Sequence, residues 1–423
     1  MSVSRTATSG APQWRHALLV SNRFEVDPGA GGTEMLTADL AAALSARRVS
    51  VTWLATGDDR NAPPLRPGAV TRMRVRVPPA ASPSASWRTR EDVVARTVED
   101  ALREAPRFDV VHVTHFSRLG LGFLDVPPLR DATTVATLTD YTAVCGDYQL
   151  VHRRAGRPCA PPVAPGDCVE CLAQGTARWR IDAAEYDDWR SRNVRLLNSR
   201  FSALWVQTPH QRRLLVDAGL DDGRIVSDRA QYAIPASWRR QQAGTDIPTL
   251  LFLGRASPEK GLHVLLDAFA AWPGSARLLV VTTADDGGYE RTARAAAAGD
   301  GRVEWLNPVG RDKLGDLLNA ATALVVPSQW DENHPMVMHY AMALGVPVVC
   351  SAVPSLTHLT DVADVRLVEK HHDPASWTRA FDELMSDPGA GIDRTAEFRK
   401  AYSDFVKAIA DTYGEGEPAE NDG

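Results

Sequence analysis

A chain of 423 residues exceeds what one ordinary hydrophobic core organises, so two domains are expected. With 44% hydrophobic and 24% charged residues it reads as a soluble globular protein, and a net charge of −6 leaves no basic footprint for nucleic acid or an anionic membrane surface. No apolar run approaches the roughly 20 residues of a membrane-spanning helix, and Ala17–Val20 is too short for a signal peptide, so a cytoplasmic location is expected.

Residues 1–14 are polar and rich in Gly, Ser and Thr, and are expected to be disordered. The run from His16 to Val20 predicts a strand, followed by a glycine-rich turn over Gly29–Gly32 and a helix capped by Thr33, with Met35, Leu36, Leu40, Ala43 and Leu44 at helical spacing. Val51–Ala55 predicts the next strand, and strand, glycine turn, helix and strand together open a doubly wound parallel sheet. Arg88–Glu104 reads as a surface helix, Phe108–Val113 and Thr134–Leu138 as buried strands. From Gly146 to about Arg180 regular patterning fails, and a long irregular loop inside a domain is usually functional or stapled. Leu204–Gln207 closes this series as a strand, with a helix over His210–Ala218.

A second α/β series begins near Ile247. Strands are predicted at Thr249–Leu253, Arg277–Val281, Val303–Leu306, Ala323–Val326 and Val346–Cys350, with helices at Gly261–Phe269, Lys313–Ala320 and Met336–Leu344. The division expected is a first domain over 15–240, a second over 245–395, a terminal amphipathic helix over 396–415 crossing back to the first, and a disordered acidic tail over 416–423.

Two segments carry the chemistry. Leu250–Arg255 runs from strand into loop, and Ser257-Pro258-Glu259-Lys260-Gly261 opens a helix, placing two cations five residues apart on the rim of a parallel sheet. Arg offers a fork to phosphate oxygens and Lys a movable point charge, so together they can neutralise a diphosphate; the alternative is a cationic surface loop. The second segment, Pro327-Ser328-Gln329-Trp330-Asp331-Glu332-Asn333-His334-Pro335, sets an acidic residue and free amides after a strand, at the sheet edge where open α/β folds bind ligands. Its alternative is acidic capping of a helix start.

Four motifs in order, Gly31-Gly32-Thr33-Glu34, Asp109-Val110-Val111-His112, Gly254-Arg255 with Lys260-Gly261, and the segment 327–335, give the chain its resemblance to the family-4 type of retaining glycosyltransferases. The resemblance runs from Ala17 to near Tyr413 and implies the GT-B fold, two facing Rossmann-like domains. It implies a nucleotide-sugar donor, a GDP- or UDP-sugar, bound to the second domain and an acceptor bound to the first; a secondary-metabolite or other small-molecule acceptor is expected because no basic amphipathic surface helix stands out in the first domain. Arg255 and Lys260 would hold the diphosphate and stabilise the leaving phosphate, and Glu332 would sit against the donor sugar. Gly31, Gly32 and Gly254 would allow close backbone approach, and the segment from Asn333 through His334 and Pro335 to Met336 would contact sugar and phosphate. The anomeric configuration would be retained, with no metal needed for the chemistry because Arg255 and Lys260 supply the positive charge.

The chain departs from the family pattern in three places. Tyr340 stands where the second glutamate of a spaced pair would bind the nucleotide ribose, and one hydroxyl replaces two carboxylate oxygens. Thr139, beside Asp140, stands in place of a histidine on the acceptor side, and the glycine-rich turn after the last strand reads Ala352-Val353-Pro354-Ser355. Either an unusual donor or acceptor has reshaped the cleft, or the protein is a non-catalytic nucleotide-sugar-binding relative. An epimerase would need paired carboxylates that are not evident, and a phosphorylase of this architecture a cofactor-bearing lysine among only five.

His115, with His112, follows the first-domain strand and is expected to face the cleft as an acceptor-side group, the alternative being a hydrogen-bonded structural histidine. His371 and His372 are expected to be solvated. Cys145, Cys159, Cys168 and Cys171 fall within one irregular loop and could close a structural zinc site, the alternative being reduced, partly buried thiols. Cys350 reads as core packing.

Overall fold

The computed structural model describes residues 16–27, 29–57, 70–77, 87–152, 157–174, 181–227, 229, 231–241, 247–285, 288–362, 364–389 and 391–414. The expected disorder of 1–14 and 416–423 lies outside them. The chain forms two α/β lobes, each built on a parallel sheet.

The first lobe contains β1 (His16–Val20), α1 (Gly32–Ala46), β2 (Ser50–Thr56), β3 (Val70–Val75), α2 (Trp87–Leu102), β4 (Val110–Val113), β5 (Thr133–Leu138), the short β6 (Val151–His152) and β7 (Arg157–Pro158), α3 (Pro165–Ala173), α4 (Ala183–Arg200), β8 (Ala203–Val206), α5 (Pro209–Asp217) and β9 (Ile225–Ser227). Its sheet has the order β3-β2-β1-β4-β5-β8-β9, with every pairing parallel. Strands buried on both faces read as continuous apolar runs, which is why Ala17–Val20 and Val110–Val113 have no alternation.

The second lobe contains β10 (Thr249–Ala256), α6 (Leu262–Ala271), β11 (Arg277–Asp285), α7 (Tyr289–Ala297), β12 (Val303–Leu306), α8 (Arg311–Ala320), β13 (Ala323–Val326), α9 (Met336–Leu344), β14 (Val348–Ser351), β15 (Val365–Val368) and α10 (Pro374–Ser386). The sheet order is β12-β11-β10-β13-β14-β15, again all parallel. The strand order reverses between β10 and β13, and the crevice outside the carboxyl ends of those two strands is where an open α/β sheet binds its ligand.

Helix α11 (Thr395–Gly414) covers both lobes. Phe398 packs into the core of the second lobe, whereas Phe405, Val406, Ile409 and Tyr413 pack against Ala17, Leu19 and Leu40 of the first. Trp205 and Phe405 meet edge to face at 5.3 Å, and the Tyr413 hydroxyl lies 2.6 Å from His112 Nδ1. The segment leading into the second lobe is anchored likewise, with Tyr232, Ile234 and Trp238 in that lobe's core.

The segment read as irregular, 146–180, holds more structure than its sequence suggests. β6 and β7 form a two-residue antiparallel hairpin, and α3 begins with Pro165, whose fixed φ suits a first helical position. Leu172 buries the helix against Tyr186 and Trp189 of α4, with Cys168 and Val169 packed alongside. Helix α4 itself escaped notice because only Tyr186, Trp189, Asn193 and Leu197 are buried in 18 residues, a narrow stripe in a polar sequence.

Candidate active site

β10 releases Arg255 at its carboxyl end, and a single 3-10 turn over Pro258–Lys260 closes at Gly261, whose φ is 71°. A Cβ there would lie 1.8 Å from the Pro327 carbonyl oxygen, so glycine is required both by the left-handed backbone and by the close approach of the loop after β13. The Gln329 amide donates to the Glu259 carbonyl at 2.8 Å and fastens the two loops together.

This fastening brings Lys260 Nζ within 2.7 Å of Glu332 Oε1, and Ser328 Oγ donates to the same oxygen. Glu332 is 4% exposed. Burial pushes its carboxyl up, but the Lys260 charge and the bonds from Lys260 and Ser328 outweigh burial and hold it below the ordinary value. The Lys260 ammonium also stands 5.8 Å from the Trp330 ring centre. Arg255 Nη2 meets Glu259 Oε1 at 2.8 Å, and Gln149 Nε2 of the first lobe donates to that same oxygen at 3.3 Å. Each cation is part-exposed and paired with a carboxylate of its own lobe. Helix α9 starts directly after Glu332-Asn333-His334-Pro335, and the first amides of a helix have no intrahelical acceptor. Two cations and a helix N-terminus at one sheet edge form a site for an anion.

Opposite lie the carboxyl ends of β1, β4 and β5 and the start of α1. The N-cap of α1 is Gly31, whose amide donates to Glu34 Oε2 at 2.8 Å. Thr33, expected as the cap, instead donates its hydroxyl to Thr139 Oγ1 at 2.8 Å, because the extended backbone already lies at Gly31. Gly32 marks a close approach of the lobes: a Cβ there would lie 3.8 Å from Met336 Cβ and 4.0 Å from the Tyr232 hydroxyl. Asn333 Nδ2 donates to the Thr139 carbonyl at 3.1 Å, and His210 of α5 is paired with Asp331. Arg311 of α8 makes a two-pronged bond to Asp39 of α1, at 2.6 and 2.9 Å.

His115 Nε2 lies 2.9 Å from Asp140 Oδ2, and Asn22 Nδ2 lies 2.9 Å from His115 Nδ1. Burial alone would lower the imidazole, but the Asp140 carboxylate overrides it and raises His115, while Asp140 is held below its usual value despite its own burial. His115, Thr139 and Asp140 are therefore brought together.

His112 is not with them. It is buried within β4 between Tyr413 and Thr137, and burial depresses it to about 3, so the expected cleft-facing role is replaced by a structural one. His334 belongs to the donor loop, but its ring stacks near Tyr232 and lies 3.2 Å from His339 Nδ1, held neutral by burial at about 3. Tyr340 has no exposed surface; its ring meets Trp238 edge to face at 5.0 Å and lies under Arg311. Its side chain is therefore packed into the second-lobe core rather than open to the cleft. Gly254 lies within β10, with the Phe252 ring beside it. His371 is half-buried rather than solvated, and His372 contacts Gln329 of the donor loop.

Cys145, Cys159, Cys168 and Cys171 line one cavity of about 600 Å³ between the 144–172 loop and α4. None of the five cysteines is in a disulfide, and burial pushes the Cys145 thiol up to about 12 and Cys159 to about 11. Among the described residues no three His, Cys, Asp or Glu side chains are placed to hold a metal as they stand. Cys350 is buried in the second-lobe core.

Comparison with known proteins decides the assignment of these lobes. Residues 31–227 match the glycosyl transferase 4-like domain and residues 236–405 match glycosyl transferases group 1, so the two models between them take in both lobes. The chain is a glycosyltransferase. Among curated relatives of this glycosyltransferase, a D-inositol 3-phosphate glycosyltransferase of Salinispora tropica is 28% identical over 346 residues, covering 75% of this chain and 66% of that protein. Sucrose-phosphate synthase from Thermosynechococcus elongatus superposes with a TM-score of 0.67 at 18% identity, over 95% of this chain and 97% of the other. Anabaena HepE in complex with UDP and glucose superposes with a TM-score of 0.65 at 14% identity, over 93% and 100%. These likenesses establish the GT-B fold for the glycosyltransferase. Among its described residues no helix is long and apolar enough to cross a membrane.

Several residues of the glycosyltransferase site had no role assigned from sequence: Glu259 on Arg255, Ser328 on Glu332, Gln149 reaching across the cleft, and His210 on Asp331. Only Glu259 carried a signal, a carboxylate four residues beyond an arginine.

Proposed function

We propose that the chain moves a sugar from a nucleotide diphosphate, a GDP- or UDP-sugar, onto a small-molecule acceptor with retention of anomeric configuration, in secondary-metabolite or small-thiol biosynthesis. The observation that carries this reading is the Lys260–Glu332 contact just ahead of α9, with Arg255 on the same loop as Lys260, at the switch point of the second sheet. The name of the inositol-phosphate relatives supports a small acceptor, and the UDP and glucose in HepE support a nucleotide-sugar donor.

Chemically, cleavage of the glycosidic C–O bond leaves negative charge on the departing phosphate, and the sugar gains oxocarbenium character. Arg255 and Lys260 exchange their carboxylate partners for phosphate oxygens, and the α9 amides add fixed dipoles aimed at the same charge. Glu332, released from Lys260, is left to accept hydrogen bonds from the sugar hydroxyls. His115, Asp140 and Thr139 border the first-lobe side, from which the acceptor approaches on the face that the phosphate leaves.

The test pairs the purified chain with a panel of UDP- and GDP-sugars and metabolite extracts, read by mass spectrometry and, for the product, by the anomeric coupling in NMR. Transfer from one donor, with an axial or equatorial linkage matching that donor, is expected. Nucleotide binding without turnover on any donor would replace this reading with that of a non-catalytic relative.

A further inference from the structure

The four-cysteine loop forms part of the wall of the cleft. Tyr148 and Leu150 both adopt left-handed backbone, at φ 55° and 52°, which side chains other than glycine rarely take. Between them Gln149 reaches Glu259, and Tyr148 lies close enough to Arg255 for the guanidinium to act on its ionisation. The cysteines bracket this turn. The Tyr148 amide donates to the Cys145 carbonyl at 3.0 Å, and the Cys159 amide to the Leu150 carbonyl at 2.7 Å. Behind the turn, Cys168 and Cys171 stand one helical turn apart on α3, and Cys171 Sγ points to the Val151 carbonyl at 3.8 Å.

All four cysteines line the same cavity, two of them from one turn of α3 and two from the ends of the segment that carries the 145–150 turn. We propose that Cys145, Cys159, Cys168 and Cys171 bind one zinc ion as a tetrathiolate clasp that holds the 145–150 turn against the phosphate-binding loop. Four sulfur ligands from a loop with little core of its own match the tetrahedral, thiophilic preference of zinc. The four cysteines ring the cavity, and among the described residues no three metal-ligating side chains converge as they stand. The ion draws them inward, four thiols release four protons to solvent, and binding energy is coupled to ordering of the loop. Two disulfides are the competing use of the same four residues.

The test uses the full chain purified without chelator, and its metal count does not depend on any sugar chemistry. Metal analysis should find about one zinc per chain, and cobalt replacement should give a thiolate-to-metal charge-transfer band in the ultraviolet. Cys168→Ser with Cys171→Ser should lose the metal, while Cys350→Ala keeps it. If the double variant fails to fold, the wild-type zinc count and the cobalt spectrum decide alone. Protein grown with added zinc that carries none, with its thiols reacting as ordinary free thiols, would overturn the proposal. So would an intact mass short of two hydrogens for each cysteine pair, which would reassign the cluster to disulfides.

Discussion

Lys260 Nζ stands 2.7 Å from Glu332 Oε1, although 72 residues separate them in the chain. The contact joins the ends of the two strands that flank the switch point of the second sheet, β10 and β13. A carboxylate that is 4% exposed has this ammonium as its charge partner. On the proposed function, the pair links the acid stability of the lobe to the strength with which a donor phosphate is held.

Replacing Lys260 by Ala leaves the Glu332 carboxylate buried without its cationic partner, with neutral donors such as Ser328 in its place. The expected cost is about 1–3 kcal/mol of stability, the penalty for a buried polar group that loses its partner. Glu332 lies below its ordinary value in the folded chain, so the stability it contributes is present above the unfolded value of 4.5 and is lost as pH falls through the lower folded value. Glu332→Gln should flatten that acid limb in a pH series of urea melts, and an unchanged limb would contradict the assignment.

Arg255 and Glu259 make opposite predictions. Arg255→Ala removes a donor aimed at the leaving phosphate, and a loss of about 10²–10³ in kcat is expected. Glu259→Gln removes the carboxylate that competes with phosphate for the guanidinium, so nucleotide affinity should rise several-fold by isothermal titration. Weaker nucleotide binding in Glu259→Gln would show that the carboxylate positions Arg255 rather than competing for it.

His115 is raised because Asp140 outweighs its burial. The stability this pair contributes is fully present below the unfolded histidine value of 6.5 and is lost as pH rises through the raised folded value. In Asp140→Asn burial is left dominant, so an NMR titration of His115 should move from above 6.5 to below it. A titration that stays above 6.5 would mean that another group, Glu34 among the neighbours, carries the charge.

Gly261→Ala places a Cβ against the Pro327 carbonyl and forces a left-handed residue to carry a side chain. Destabilisation well above the roughly 1 kcal/mol of an ordinary glycine replacement is expected, because the β10 and β13 loops must also part. A thermal melt checks this, and donor affinity should fall together with the melting temperature.

Much of the architecture was legible before folding was considered. Apolar runs bounded by glycine turns and helical spacings predict parallel strands and their helices, since burial on both faces of a sheet leaves a local signature in the chain. Arg255, Lys260, Gly261 and Glu332 could be singled out for the same reason: each stands at a strand end, where an open α/β sheet exposes its ligand-binding edge. What the sequence could not determine was which partner each group would meet. Glu332 for Lys260, the stacking of His334 near Tyr232, the burial of Tyr340 beside Trp238 and Arg311, and the gathering of four cysteines about one cavity all depend on contacts between segments far apart in the chain. Periodicity reports only whether a residue faces core or solvent; the neighbour it finds there is set by how the two sheets and the crossing α11 pack together, and that exists only in three dimensions.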